Sequence, residues 1–163
     1  MNLLDVFRRN AAIAPDLPRV IIEHEGGQSD ELTPAVIARG MIAYAERYRE
    51  LGVERGDRVL LALPTSKEFV FAFWGCYLSG AVPVPTYPPL PGARFQTGMD
   101  RLARIAERSR ARALVTIPAL RDLLTSMDRP MPPFAEVDLD SGQLPSPEHS
   151  LARIQNTPAP DPE

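Results

Sequence analysis

Cysteine, histidine and lysine are all scarce in this 163-residue sequence. The single Cys76 cannot close an intramolecular disulfide, which excludes a secreted disulfide scaffold. His24 and His149 are the only histidines, so the ligand clusters of a zinc site are missing and no metal site is expected. Lys67 is the only lysine, which limits the catalysis the chain can perform alone. There is no excess of positive charge: 18 Lys plus Arg stand against 21 Asp plus Glu, a net charge of −3, which argues against a dedicated nucleic-acid binder. Long apolar runs are also missing. The longest, residues 69–84, is interrupted by Gly75, Ser79, Gly80 and Pro83 and is too short for a bilayer. At the amino terminus, Asp5, Arg8 and Arg9 fall where a signal peptide needs unbroken apolar residues. The expectation is a soluble, cytoplasmic protein with no membrane span and no nucleic-acid partner. No G-x-G-x-x-G follows a strand pattern, which weighs against a free-standing doubly wound nucleotide binder.

What the chain does have is enough apolar residue, 44%, for one packed core, and 18 prolines, about 11% and roughly twice ordinary usage. Leu3, Phe7 and Ala11 repeat with a period near four behind a possible Asn2 cap, and Pro15 and Pro18 then stop the helix. RVIIEHE, residues 19–25, reads as a strand leading into a turn at Gly26 and Gly27. Thr33 followed by Pro34 starts a second helix, with Ile37, Met41, Tyr44, Tyr48 and Leu51 on one face and Gly52 to close it. Residues 59–63 are continuously apolar, the pattern of a parallel strand covered on both faces.

Thr65 and Glu68 form a capping-box pair opening a nearly all-apolar helix to Gly80. AVPVP then starts a short strand, completing a right-handed βαβ unit. Prolines 83, 85, 88, 89 and 91 make residues 82–91 stiff, with little ladder beyond the first residues. A helix over residues 98–109, a strand over 111–117, a short helix over 118–126 and a final strand in FAEVDLD follow. This order predicts an α/β fold with a mainly parallel sheet and helices on both faces. Residues 1–139 form that α/β unit. Residues 140–163 read as a proline-rich acidic linker or truncated tail without regular structure, because residues 136–163 carry six acidic residues against one arginine.

In such a sheet ligands bind beyond the carboxyl ends of the strands, here residues 64–66 and 85–89. LPTSKEF can present backbone N–H groups to an anion, or be a capped helix start with no ligand; it lacks the glycines of a phosphate loop. Arg101, Arg104 and Arg108 form a helical stripe, with Arg94 in the loop before it: a phosphate or acidic carrier-protein contact, or a solvated face. Cys76 lies in the most apolar helix with no charged partner nearby in sequence, as a buried thiol rather than a nucleophile. Asp138 and Asp140 share a strand face but lack further metal ligands. Residue chemistry alone assigns no catalytic residue.

VERGDRVLLALPTSKEFVFAFWGCYLSGAVPVPTYPP, followed by RLARIAERSRARALVT, resembles the amino-terminal part of acyl-adenylate-forming enzymes. Within that superfamily AVPVPTYPP and its spacing to RLARIAERSRARALVT are most similar to fatty acyl-AMP ligases, and ELTPAVIARG fits as a variant of an early helix start. The resemblance covers residues 3–139 and is most specific in GCYLSGAVPVPTYPP. It implies an amino-terminal subdomain of an adenylation domain. The implied reaction is attack of a fatty-acid carboxylate on the α-phosphate of ATP, giving acyl-AMP and pyrophosphate, then transfer to a carrier protein.

The resemblance puts the phosphate loop and the catalytic lysine beyond NTPAPDPE. No catalytic residue and no cofactor therefore fall in this chain, and ATP and magnesium belong to the complete enzyme. The partners implied are the remainder of the adenylation domain and an acyl carrier protein. Tyr87, Pro88 and Pro89 are the candidates for a substrate-site wall or interface, and the chain is expected to be incompetent alone. The competing reading is a naturally short, non-catalytic module that binds a partner protein or an acyl ligand.

Overall fold

A computed structural model of the chain describes residues 3–127, 130–139 and 144–156. The proposed Asn2 cap and Asp140 lie outside them. Helix α1 (Leu3–Ile13) buries Phe7 and Ala11 as anticipated, but the residue buried with them is Leu4, while Leu3 is 39% exposed. Strands β1 (Val20–Glu23) and β2 (Ser29–Leu32) pair antiparallel around Gly26 and Gly27, whose positive φ angles of 101° and 80° suit a tight reversal. The second strand has no sequence signature, because SDEL is polar and buries only Leu32.

Helix α2 (Pro34–Glu50) starts as its sequence dictates. The Thr33 hydroxyl accepts the Val36 N–H at 3.3 Å and Pro34 occupies the first turn, where a missing N–H costs nothing. Strand β3 (Arg58–Ala62), helix α3 (Lys67–Ser79) and strand β4 (Val82–Thr86) follow, β3 and β4 parallel in register from Arg58 opposite Val82 to Ala62 opposite Thr86. The α3 cap is Ser66, not Thr65: its hydroxyl accepts the Phe69 N–H at 3.3 Å, and Gly80 in the left-handed region closes the helix. Helix α4 (Phe95–Ser109) leads to β5 (Ala113–Thr116), which pairs parallel with β3, and then to α5 (Pro118–Ser126). Helix α4 begins a turn before the anticipated Gly98, because Gly92 at φ 136° bends the chain and the Phe95 N–H donates to its carbonyl.

The main sheet has the order β4-β3-β5, all parallel, with helices on both faces as expected. Alternation along β3 divides the core. Val59 and Leu61 face a cluster built from α1, α2, α3 and Leu151 and Ile154 near the carboxyl end, whereas Leu60 and Ala62 face Met99, Leu102 and Ala106 of α4 and Leu120 and Leu124 of α5. Helices α2 and α3 cross closely at two glycines, each seating a side chain of the other helix. A Cβ on Gly40 would sit 2.2 Å from the Phe71 ring, and one on Gly75 2.6 Å from Tyr44 Cβ. The Tyr48 hydroxyl donates to the Ala72 carbonyl at 3.0 Å across the same crossing.

Three expectations change. Strand β4 pairs along all five residues despite Pro83 and Pro85. In a parallel ladder alternate residues turn toward one neighbour; the Val82 N–H donates to the Asp57 carbonyl, so the prolines occupy positions whose N–H would point off the sheet edge. Among its described residues FAEVDLD forms one parallel bridge, Phe134 to Leu114, held by the Leu114 N–H to the Pro133 carbonyl and the Ala135 N–H to the Leu114 carbonyl.

The acidic tail is not devoid of regular structure: α6 (Pro147–Asn156) is a helix docked on α2. Pro147 does not break the helix but stands in its first turn, and the Ser146 hydroxyl caps it by accepting the His149 N–H at 3.2 Å. Leu151 and Ile154, three residues apart, enter the core, while Arg8 Nε donates to the Ile154 carbonyl at 2.8 Å and Arg153 pairs with Glu46 at 3.0 Å. Removing the buried Ile154 side chain leaves a cavity, so Ile154→Ala is expected to cost about 2–5 kcal/mol in urea unfolding, against less than about 0.5 kcal/mol for the exposed Gln155→Ala. Equal effects would show that α6 does not share the core.

Candidate functional site

Because β3, β4 and β5 are parallel, their carboxyl ends open on one edge. Residues 64–66 and 85–87 meet there in a cavity of about 220 Å³ lined by Leu63, Thr65, Phe69, Pro85, Thr86 and Tyr87. On the β5 side a groove of about 420 Å³ adds Tyr44, Ser66, Glu68, Thr116, Arg121, Glu136 and Asp138, among others. A third opening of about 500 Å³, bounded by Pro89, Gly92, Phe95, Ile117 and Leu123, lies under the proline turn. The Thr116 hydroxyl donates to the Ala62 carbonyl at 3.0 Å, tying the ends of β5 and β3 together beside the groove.

The three proline-turn candidates separate. Tyr87 is 75% exposed and its ring lines the first cavity, whereas Pro88 and Pro89 are buried. Pro89 seats the start of α4: a Cβ on Gly98 would lie 3.1 Å from the Pro89 Cβ. Rigid φ angles at the prolines therefore fix where Tyr87 stands.

Arg94, Arg101, Arg104 and Arg108 are all exposed. Only Arg94, immediately before α4, is near the carboxyl edge. Helix α4 is about 22 Å long by its 1.5 Å rise per residue and ends at the opposite edge, where Arg58 Nε donates to the Ser109 carbonyl at 2.7 Å. Arg104 donates to the Asp100 carbonyl at 3.3 Å and lines a separate groove of about 850 Å³ with Glu107, Arg110 and Met131. The arginine stripe and the carboxyl-edge cavities are thus different surfaces.

Glu68, Arg121, Glu136 and Asp138 were not singled out together from sequence. The legible signal was the i, i+2 spacing of Glu136 and Asp138, which puts both on one side of an extended segment. Arg121 bridges Glu136 and Asp122, the latter at 2.6 Å from Nη2, and these hydrogen bonds raise its already high pKa, Glu136 contributing most. Three carboxylates and one engaged guanidinium give the groove an acidic rim, suited to a cationic or hydrogen-bond-donating group and unsuited to an unaccompanied triphosphate. Among the described residues no three His, Cys, Asp or Glu side chains converge as metal ligands. The groups at this edge can bind and orient a ligand.

Cys76 lies fully buried on α3, and burial pushes its thiol up to about 12. Tyr44 and Tyr48 are likewise pushed above the ordinary phenol range, chiefly by burial. A raised thiol pKa means that folding favours the neutral form: that stability is complete below about pH 9 and is lost as pH rises toward 12. Native Cys76 is therefore expected to resist alkylation until the chain unfolds. Stability in urea should fall above pH 9, less steeply in Cys76→Ala; rapid native alkylation or parallel pH curves would contradict the buried neutral thiol.

The family model for AMP-binding enzyme matches residues 7–162. Disco-interacting protein 2 homolog A of Mus musculus is 28% identical over 98% of this chain, which corresponds to 11% of that protein. The medium-chain fatty acid acyl-carrier-protein ligase JamA of Moorena producens is 36% identical over 39% of this chain and 11% of its own length. The crystal structure of a fatty acyl-adenylate ligase from L. pneumophila, in complex with acyl adenylate and pyrophosphate, superposes with a TM-score of 0.71 at 23% identity, covering 98% of this chain and 25% of the ligase. The chain spans about a tenth of the length of the curated relatives it matches first. No helix among the described residues is long and apolar enough to cross a membrane.

Proposed function

The chain belongs to the AMP-binding enzyme family, and from that premise we propose that it serves as the amino-terminal structural subdomain of a fatty acyl-AMP ligase. The observation that carries the reading is the extent of the fold match: 98% of this chain follows the backbone of a fatty acyl-adenylate ligase. In the proposed reaction a carboxylate oxygen of the fatty acid bonds to the α-phosphorus of ATP and the bond to pyrophosphate breaks. A carrier-protein thiol then takes the acyl group and AMP leaves.

This chain's share is architectural. The carboxyl edge, with Tyr87 held by Pro88 and Pro89, forms part of a wall beside the acyl and nucleotide sites. The exposed stripe of Arg94, Arg101, Arg104 and Arg108 offers a contact for an acidic carrier or a phosphate. ATP and magnesium are assigned to the complete enzyme and not to this chain, whose sequence carries no glycine-rich phosphate loop.

Incubated with ATP, magnesium and fatty acid, the 163-residue chain is expected to release no pyrophosphate above the protein-free control; acyl-AMP formation would overturn its incompetence. An antibody raised against it should detect, in its own cells, a product several times heavier than 18.0 kDa. A product at 18.0 kDa would instead favour the short non-catalytic module. The carrier contact is tested in the complete enzyme by Arg104→Glu, expected to weaken carrier binding roughly threefold to tenfold at low salt without changing acyl-AMP formation. Unchanged affinity would remove the arginine stripe from carrier recognition.

A further inference from the structure

Tyr44 and Tyr48 are one turn apart on α2, and their hydroxyls meet opposite fates. The Tyr48 hydroxyl donates to the Ala72 carbonyl. Tyr44 is only 3% exposed, yet its side chain reaches the groove on the β5 side of the carboxyl edge, and its hydroxyl makes no hydrogen bond to any described residue. A phenol withdrawn this far from water ordinarily has a partner. The fold fixes where it stands: a Cβ on Gly75 would lie 2.6 Å from the Tyr44 Cβ, so only a glycine lets α3 come this close, and the ring packs against Tyr48 with centroids 6.0 Å apart. The Glu68 carboxylate lines the same groove and makes no ion pair or hydrogen bond to a described residue. It lies near enough to the phenol to add, after burial, to the upward push on it. Phenol and carboxylate thus share one corner of the groove without a positive group between them.

The rest of the groove indicates which chemistry completes that corner. Glu68, Glu136 and Asp138 stand against one guanidinium, Arg121, which Glu136 and Asp122 already engage, so the rim carries net negative charge. A bare metal ion is a poor match, because among the described residues no three His, Cys, Asp or Glu side chains converge as ligands. The other walls are largely apolar, with Leu63, Val115, Ile117, Ala135 and Val137 among them, and the volume of about 420 Å³ accommodates an organic group. The matching group has a positive end with several N–H donors and an apolar stem. We propose that this groove binds the ammonium end of an alkyl amine, whose N–H groups donate to the Tyr44 hydroxyl oxygen and the Glu68 carboxylate while its stem lies along Leu63, Val115 and Val137. The assignment draws on neither a fatty acid nor ATP and stands or falls apart from the ligase reading.

Backbone amide NMR of the chain near neutral pH, titrated with n-butylammonium chloride and separately with n-butanol, tests the site. The amine is expected to saturate shifts at the Ile117 and Val137 amides, and the uncharged alcohol of equal length to need about tenfold more or to shift nothing. Glu68→Gln keeps the shape of the rim and removes its charge, and should weaken the amine about tenfold. Tyr44→Phe keeps the ring and removes only the hydroxyl, and should weaken it roughly threefold to tenfold. Glu107→Gln, in the separate groove beside Arg104, should leave the affinity unchanged. Glu68 is partly exposed, so its variant decides the matter even if Tyr44→Phe fails to fold. Equal saturation by amine and alcohol overturns the site, and so does an amine affinity that Glu68→Gln leaves unmoved. Nα-acetyl-lysine amide separates the two sources of such a group: tighter binding than n-butylammonium assigns the groove to a lysine side chain of a protein, and weaker binding assigns it to a free alkyl amine.

Discussion

Strand β3 is the member on which every other placement depends. Val59, Leu60, Leu61 and Ala62 are wholly withdrawn from solvent, because each of the strand's two faces meets its own layer of helices and each of its two edges meets a parallel neighbour. Parallel pairing needs a long crossover, so α3 must return over one face, and α4 must pass over the other to deliver β5. Once both crossovers are made, residues 64–66 and 85–89 leave the sheet at the same edge with no freedom to separate. The cavity beneath Tyr87 is thus a consequence of strand polarity more than of any contact made by Tyr87 itself.

Much of this was legible because the determinants are local. Thr33 and Pro34, Gly80, and the unbroken apolar run of β3 each state a structure through their own chemistry, and each sits where its chemistry requires. The departures share one cause: a residue's meaning depended on a partner far away in sequence. Pro83 and Pro85 read as breakers until β3 is seen to need only the alternate N–H groups of that edge. Pro147 read as part of a linker until Leu151 and Ile154 find α2, about a hundred residues earlier, and turn the same proline into a helix start. FAEVDLD has strand composition, but after Phe134 its next backbone groups form no continuing ladder with β5.

The candidate site was legible to a different degree. The edge was predictable from topology, and Tyr87 with its prolines was found there; the joining of Glu68, Arg121, Glu136 and Asp138 was not, since it brings α3, α5 and the bridge segment together. Conversely, Arg94 and Arg108 look like members of one basic motif, but the length of α4 carries them to opposite ends of the sheet. Sequence proximity grouped residues that the fold spreads along a helix, and the fold grouped residues that sequence kept apart.

Reactive groups are divided between the core and the carboxyl edge. Two groups with the chemistry for covalent work, the Cys76 thiol and the Tyr48 phenol, lie at the α2–α3 crossing, where burial holds them neutral. The groups that remain accessible, Tyr87, the arginines of α4 and the acidic rim, bind and orient without transferring bonds. The carboxyl edge thus offers surfaces for contact and orientation, while the α2–α3 crossing is closed core.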